Sequence, residues 1–234
     1  MTEINALSGP QLQPASGKPA TAAVVLLHGY GSSGNDLIGL APFFAQIVPE
    51  SVFYSPNAPE SWEGGMSGAY QWFGLSDFDP DLVRRDPKRM GATFNGMIEG
   101  ARKAAPALND YLDQILDHHN LEARRMVLLG FSQGTMMALH VGLRRKEQLA
   151  GILGFSGALV GTNLLNKELK TKPPVTLIHG EDDPVVPVQA MTEVKIALEA
   201  VDISVEAYAI PGLQHGIDGN GAQIGGAFLK AHLG

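Results

Sequence analysis

The sequence contains no cysteine among its 234 residues. This absence excludes disulfide bonds, thiolate metal sites and a cysteine nucleophile together. Positive charge is also scarce, because 17 Lys and Arg residues stand against 24 Asp and Glu residues, which gives a net charge of −7. A nucleic-acid-binding surface needs a basic face. We therefore expect no nucleic-acid partner.

Long apolar runs are missing as well. No stretch approaches the roughly 20 residues that a membrane-spanning helix needs, so no transmembrane segment is predicted. Residues 1–10 lack a basic start followed by an apolar stretch, and we expect no secretory signal there. A composition of 44% apolar and 18% charged residues is typical of a globular protein. Together these features favour a cytoplasmic enzyme.

The pattern along the chain predicts one domain preceded by a short extension. Residues 1–21 are rich in Pro, Ser and Gly and are expected to form an N-terminal arm or edge strand. Residues 22–234 alternate between short apolar runs typical of buried strands and longer segments with helical spacing, including 37–48 and 94–118. This alternation predicts an α/β fold with a mostly parallel central sheet and helices on both faces. Residues 58–88 lack clean periodicity and are predicted to be a long loop.

One strand pattern runs directly into a serine between glycines. The segment Gly130-Phe131-Ser132-Gln133-Gly134 follows the apolar run 126–129 and precedes a helical pattern. This is the G-x-S-x-G nucleophile elbow, whose tight turn requires small residues around the serine. Ser132 is therefore the candidate nucleophile. An oxyanion hole would take one N–H from Gln133 and another from the loop at 28–31.

A serine hydroxyl needs a base within hydrogen-bond reach, and the base needs an acid to orient it. In proteins with this elbow the chain order is serine, acid, histidine. His215 lies in a predicted loop after the last strand, whereas His232 lies on a predicted helix near the C-terminus, so His215 is the candidate base. The residues alone leave two candidates for the acid, Asp182 and Asp183, which follow a predicted strand.

Further motifs occur in a fixed order through most of the chain beyond residue 20. In this order the sequence resembles the acyl-protein thioesterase/carboxylesterase family, also described as phospholipase/carboxylesterase, of the α/β-hydrolases. The resemblance is carried by the segments 27–31, 35–37, 56–59, 72–73, 130–134, 149–151, 155–157, 179–187 and 215–217.

This resemblance implies an α/β-hydrolase fold without a large cap domain. It implies a catalytic triad of Ser132, Asp183 and His215, and an oxyanion hole formed by the N–H groups of Tyr30 and Gln133. The implied activity is hydrolysis of carboxylic esters or acyl thioesters through an acyl-enzyme on Ser132, without cofactor or metal. The partner is then a small-molecule or acylated substrate. Lysophospholipase activity, or a catalytically silent fold used as a binding module, is the alternative.

Four residues near the predicted site are candidates for binding an acyl chain. Trp72 and Phe73 belong to an aromatic-rich part of the predicted loop, and Leu159 and Val185 follow predicted strands. Packing in the core is the alternative for all four, and a homodimer contact is a further alternative for the aromatic residues. Thr135 stands where the family often has glycine, and we expect this difference on the substrate side.

A rival prediction comes from Gly29-Tyr30-Gly31-Ser32-Ser33-Gly34, which matches the dinucleotide fingerprint G-x-G-x-x-G after a strand. That fingerprint needs an acidic residue about 20 positions later, at the end of the next strand. Glu50 has nearly that spacing but precedes its predicted strand, which disfavours NAD binding. The acidic run 77–81 lacks the glycine and glutamate of a calcium loop, so no metal site is predicted.

Overall fold

A computed structural model describes residues 4–75, 78–81 and 87–234. Its centre is a seven-stranded sheet in the order β1-β3-β2-β6-β7-β8-β9, and only the edge strand β1 runs antiparallel to its neighbour. A separate two-stranded antiparallel ribbon pairs β4 with β5. The strands are β1 Gln11–Leu12, β2 Ala22–Leu27, β3 Ser51–Tyr54, β4 Glu60–Ser61, β5 Tyr70–Gln71, β6 Met126–Phe131, β7 Gly151–Phe155, β8 Val175–Gly180 and β9 Val205–Ile210.

Helices cover both faces of the sheet, because each buried strand presents apolar side chains alternately to its two sides. In β2, Val25 and Leu27 face one apolar core, while Val24 and Leu26 face the other. The helices are α1 Gly34–Leu37, α2 Ala41–Ala45, α3 Pro87–Gly96, α4 Ile98–His119, α5 Gln133–Gly142, α6 Leu165–Glu168, α7 Gln189–Glu199 and α8 Gly219–Leu233. The first core packs against α4, α5 and α7, and the second against α2 and α8. The predicted parallel sheet between two helical layers is confirmed.

Two predicted helices are interrupted in the structure, the first next to a proline and the second away from one. The segment predicted as one helix at 37–48 is divided into α1, a 3₁₀ turn at 38–40, and α2, which has Pro42 in its first turn. Proline has no N–H to give to a preceding turn, and it is tolerated at the start of a helix. By contrast, α4 continues through Pro106, and the chain interrupts the helical pattern at Met97 instead.

The segment predicted as a long loop at 58–88 contains the ribbon of β4 and β5 and the start of α3. The parts of that prediction at 76–77 and 82–86 lie outside the described residues. In the N-terminal segment, β1 pairs antiparallel with β3 at the edge of the sheet. The division into an arm and one domain stays a prediction.

The parallel arrangement brings the carboxyl ends of six strands to one edge of the sheet, which is where ligands bind in open α/β folds. The segments after β6, β8 and β9 therefore meet there. Across the described ranges, none of the helices combines the length and apolar character that crossing a membrane requires.

Candidate active site

Ser132 occupies the turn between β6 and α5 in a strained backbone conformation. Its φ of 54° and ψ of −116° lie in a region that residues other than glycine rarely adopt. Its N–H donates to the carbonyl of Phe155 at 2.9 Å, and its own carbonyl accepts from the N–H groups of Thr135 and Met136 at 3.0 and 3.2 Å. These bonds hold the turn on both sides, so that the strain persists.

Glycine is required on both sides of this turn because backbone segments approach closely. A Cβ added at Gly134 would lie 1.8 Å from the carbonyl oxygen of Leu27, and one added at Gly130 would lie 2.4 Å from the nitrogen of Thr135. Real side chains do not make contacts that short. The G-x-S-x-G spacing therefore lets α5 pack directly on the end of β2.

The structure brings His215 to Asp183 and not to Asp182. The Nδ1 atom of His215 lies 2.7 Å from Oδ2 of Asp183, whose side chain is fully buried. Asp182 is exposed, and its N–H donates to the carbonyl of Leu213 at 3.0 Å. Of the two acids that the sequence left open, only Asp183 is in hydrogen-bond contact with the imidazole.

The surroundings of Asp183 favour its ionised form. Its Oδ1 accepts the backbone N–H groups of Val185 and Val186 at 2.8 and 2.9 Å. Burial by itself would raise the pKa of Asp183, but hydrogen bonds from His179 and His215, the charge of His215 and the Val186 N–H together hold that pKa well below its ordinary value. The carboxylate is therefore negative at neutral pH and can stabilise a positive imidazole.

The loop that carries His215, between β9 and α8, packs tightly against the end of β8. A Cβ at Gly180 would lie 2.2 Å from the carbonyl oxygen of Leu213, so this approach requires glycine. The His215 ring lies 4.9 Å, centroid to centroid, from the ring of Phe131, the residue before Ser132. In the described part of the chain, Ser132 Oγ makes no hydrogen bond to His215, although such contacts often tighten only when substrate binds.

The two predicted oxyanion donors have no competing partners among the described residues. Gln133 is the first residue of α5, and the N–H of a helix's first residue has no partner within the helix. The N–H of Tyr30 makes no hydrogen bond to a described residue, whereas the next N–H in the loop, that of Gly31, donates to the carbonyl of Tyr70 at 2.9 Å. The oxyanion role of both groups stays a prediction.

His28 shapes the loop that contains Tyr30. Its Nε2 accepts the N–H of Ala58 at 2.9 Å, so Nδ1 carries the hydrogen and donates to the carbonyl of Gly29 at 2.7 Å. Its own carbonyl accepts the indole N–H of Trp72 at 3.0 Å. Burial lowers the pKa of His28, so the ring stays neutral and these bonds persist at neutral pH.

Sequence reasoning missed the role of the Gln133 side chain. Its amide oxygen accepts the N–H of Trp72 at 2.9 Å, and its amide nitrogen donates to the carbonyl of Phe73 at 2.7 Å. The side chain thereby fixes the segment after β5 to the elbow. No local pattern signals this contact, since both partners are backbone groups about 60 residues earlier.

The four predicted substrate-binding residues lie mostly inside the protein. Trp72 is 1% exposed, and Phe73 and Leu159 are each 4% exposed. Val185 is half-buried and adjoins the site through its N–H bond to Asp183. Trp72, Phe73 and Leu159 therefore pack in the core. The substrate-binding role of all four residues stays a prediction. No group of residues suited to hold a metal occurs in the described ranges.

Thr135 lies beneath the elbow rather than on the expected substrate side. It is buried, and its Oγ1 lies 2.8 Å from the carbonyl oxygens of both Gly130 and Phe155. Two glycines at the end of β7 leave space for the Thr135 side chain. A Cβ at Gly157 would lie 2.4 Å from the Cβ of Thr135, and a Cβ at Gly154 would lie 2.6 Å from Cγ2 of Thr135. Thr135 therefore links β6 to β7.

Known proteins are similar in sequence to this chain. The model of the family described as Phospholipase/Carboxylesterase matches residues 13–233. Acyl-protein thioesterase 1 of Neurospora crassa is 30% identical over 219 residues, which cover 88% of this chain and 84% of that protein. Acyl-protein thioesterase 1 of Gibberella zeae is 28% identical over 239 residues, covering 96% and 95%.

A solved structure extends the similarity to the whole fold. The crystal structure of esterase PE8 superposes with a TM-score of 0.86 at 39% identity, covering 97% of this chain and 99% of that one. The carboxylesterase of Bacillus cereus, at 17% identity and a TM-score of 0.71, shares the fold. The resemblance found in the sequence is confirmed: the chain belongs to the phospholipase/carboxylesterase family of α/β-hydrolases and is a hydrolase of the esterase and thioesterase class.

Proposed function

We propose that the protein hydrolyses carboxylic esters and acyl thioesters by double displacement, with Ser132 as nucleophile, His215 as base and Asp183 as the orienting acid. The observation that carries this proposal is the 2.7 Å contact between His215 Nδ1 and the buried Asp183 carboxylate, at the same sheet edge as the strained serine. A serine elbow without this pair would hold only a weakly nucleophilic hydroxyl.

The first step follows from the tautomer of His215. Because Nδ1 faces a carboxylate, it carries the hydrogen, and the Nε2 lone pair is left to act as base. Ser132 Oγ attacks the substrate carbonyl carbon while Nε2 takes the hydroxyl proton. The carbonyl oxygen becomes negative, and the N–H groups of Tyr30 and Gln133, together with the N-terminus of α5, stabilise that charge.

The second half of the cycle returns the enzyme to its starting state. The His215 imidazolium gives its proton to the leaving alcohol or thiolate as the bond from the carbonyl carbon breaks, which leaves the acyl group on Ser132. Water then donates a proton to His215 and attacks the acyl carbon. His215 returns that proton to Ser132 Oγ as the bond from the acyl carbon to Oγ breaks, which releases the carboxylic acid and restores the Ser132 hydroxyl, so that protons balance over the cycle.

The relatives suggest the substrate class. Two of them are named acyl-protein thioesterase, and an esterase shares the fold over nearly the whole chain. We therefore propose that substrates carry an acyl chain on an oxygen or sulfur, with lysophospholipids as the alternative. Turnover of p-nitrophenyl esters of increasing chain length, compared with matched thioesters and a lysophospholipid, would rank these classes.

A fluorophosphonate probe tests the catalytic assignment directly. The full-length protein should gain the mass of one probe less HF, because fluoride leaves as the Ser132 oxygen binds phosphorus; peptide mass spectrometry should map the adduct to Ser132, and esterase activity should be lost in parallel. The Ser132→Ala variant should take up no probe while keeping its circular dichroism spectrum. An unlabelled wild-type protein without ester turnover would favour the silent binding module.

We propose a cytoplasmic location for the same protein. The chain contains no cysteine, as expected in a compartment where disulfides are not used for stability. Immunoblotting of fractionated source cells tests the location. The homodimer also stays a prediction, and light scattering after size-exclusion chromatography tests it.

A further inference from the structure

A second histidine contacts the acid, and the proposed mechanism does not use it. His179 is the next-to-last residue of β8 and is 1% exposed. Its Nε2 lies 2.8 Å from the carbonyl oxygen of Val186 and 3.3 Å from Oδ2 of Asp183. Both neighbours are hydrogen-bond acceptors, so Nε2 carries a hydrogen and points it between them.

This contact completes the surroundings of the Asp183 carboxylate. Its Oδ1 is held by the two backbone N–H groups of Val185 and Val186, which fix that oxygen to its own turn. Its Oδ2 is shared by His215 and His179. Of these two imidazoles, only that of His215 changes partners during the reaction, whereas His179 is enclosed in the sheet.

The position of His179 links strand and turn. Its backbone belongs to β8, while Nε2 reaches the carbonyl of Val186, three residues beyond Asp183 in the turn. The histidine thus connects the rigid end of the sheet to both ends of the segment that presents the acid. Without it, the turn would keep its own hydrogen bonds and the 3.4 Å bond from the Asp183 N–H to the carbonyl of Gly180, but it would lose the side-chain link from β8 to Val186 and to Oδ2 of Asp183.

We infer that His179 is a positioning residue that aims Oδ2 of Asp183 at His215. This inference rests on the proposed function, because it assigns His179 a role in orienting the catalytic base. It acts through Asp183 and touches no reacting atom. A misplaced acid should leave substrate binding intact and slow the chemical steps, since catalysis depends on orientation more steeply than binding does.

Two variants separate positioning from packing. His179→Leu removes the donor and keeps an apolar side chain in the core, whereas His179→Gln places an amide N–H near the position of Nε2. We expect His179→Leu to lower kcat roughly 10- to 100-fold with KM within about twofold. His179→Gln should recover most of that loss.

The hydrogen bond itself gives a readout that does not depend on turnover. The proton of His215 Nδ1 facing Asp183 should appear as a far-downfield signal in the proton NMR spectrum, absent from His215→Ala. We expect this signal to broaden or disappear in His179→Leu and to remain in His179→Gln.

Several results would overturn the inference. Unchanged kcat and an unchanged downfield signal in a folded His179→Leu variant would show that Asp183 needs no second histidine. Equal losses in both variants would indicate a packing role. Failure of the proposed function looks different, since wild-type protein would then show no ester turnover and no probe on Ser132, while the NMR comparison would still report on His179.

Discussion

Two serines follow neighbouring strands in turns of similar geometry, and only one of them lies in the candidate active site. Ser132 follows β6 and Ser156 follows β7, and the two preceding residues are paired in the sheet. Their φ angles are 54° and 47°, both in the left-handed region. Each serine N–H donates to the next strand at 2.9 Å, that of Ser132 to Phe155 and that of Ser156 to Ile178.

The differences lie in what surrounds each hydroxyl. Ser132 leads directly into α5 and follows Phe131, whose ring contacts His215. Ser156 leads into a segment at 157–161 without helix, and its buried Oγ has no hydrogen-bond partner among the described residues. A strained serine at a strand end therefore does not by itself mark the proposed active site. The helix N-terminus and the imidazole distinguish the two turns.

The largest expected effect comes from removing the Ser132 hydroxyl, and removal of the Ser156 hydroxyl is the matched comparison. Ser132→Ala should reduce kcat/KM on a p-nitrophenyl ester by a factor on the order of 10⁴ or more, because the nucleophile is lost. Ser156→Ala should stay within about threefold of wild type, since its hydroxyl contacts no catalytic group. Loss of activity in a folded Ser156→Ala protein would erase the distinction between the two turns.

Removing the negative charge of Asp183 beside the His215 imidazole should have the next-largest effect. Asp183→Asn should lower kcat by a factor on the order of 10³ to 10⁴, because the amide disfavours the reactive tautomer and cannot stabilise the imidazolium. Asp182→Asn serves as the matched control and should keep kcat within a few-fold, since its side chain is exposed. The reverse ranking in steady-state assays would contradict the assignment of the acid.

Stability should depend on pH through the helix that follows Ser132, and not through the segment that follows Ser156. His140 lies buried on α5, and burial, followed by the charge of Arg144, lowers its pKa to about 4. Between pH 6.5 and 4 the unfolded state then binds more protons at this site than the folded state. The contribution of His140 to the free energy of unfolding should be complete above pH 6.5. It should decrease by roughly 3 kcal/mol as the pH falls to 4.

Urea unfolding at several pH values would measure this dependence, and His140→Leu should reduce it, leaving the part contributed by His28, His119 and His232, whose pKa values burial also lowers. The segment 156–161 contains no titratable side chain to produce a matching effect. If the wild type and His140→Leu lose stability in parallel over that range, the titrating group lies elsewhere.

The smallest expected effect is shared by both turns. Replacing either serine with glycine removes the cost of a left-handed conformation and should raise the free energy of unfolding by about 1 kcal/mol. Thermal or urea unfolding of Ser132→Gly and Ser156→Gly checks this. Only the first variant should be inactive. A fall in stability for both would show that neither backbone is strained.

Sequence patterns predicted the parts of the fold that depend on local properties. The buried strands, the elbow and the loop position of His215 follow from apolar runs, glycine spacing and chain order. Long-range contacts set the remainder. Asp182 and Asp183 are adjacent and chemically alike, and the residues alone could not tell which would turn inward toward His215.

The hydrogen bonds from the Gln133 side chain to the backbone at 72–73 and the burial of Thr135 could also not be predicted from local sequence. Each depends on groups from a distant segment or a neighbouring strand, and neither leaves a periodic signal. The division of the predicted helix at 37–48 shows a similar limit, because Pro42 is compatible both with the start of a helix and with an irregular segment.

The two hydrogen bonds between the Gln133 side chain and the backbone at 72–73 have a consequence for engineering. They anchor that backbone to the same residue whose N–H would receive the developing charge, while residues 64–68 between β4 and β5 are exposed. Met66 and Ser67 in this turn can therefore be varied without disturbing the anchor, whereas Gly65 and Gly68 have φ angles of 79° and 80°, where residues other than glycine are strained. An exchanged turn has to keep glycine at these two positions, together with the two backbone groups that the Gln133 side chain binds.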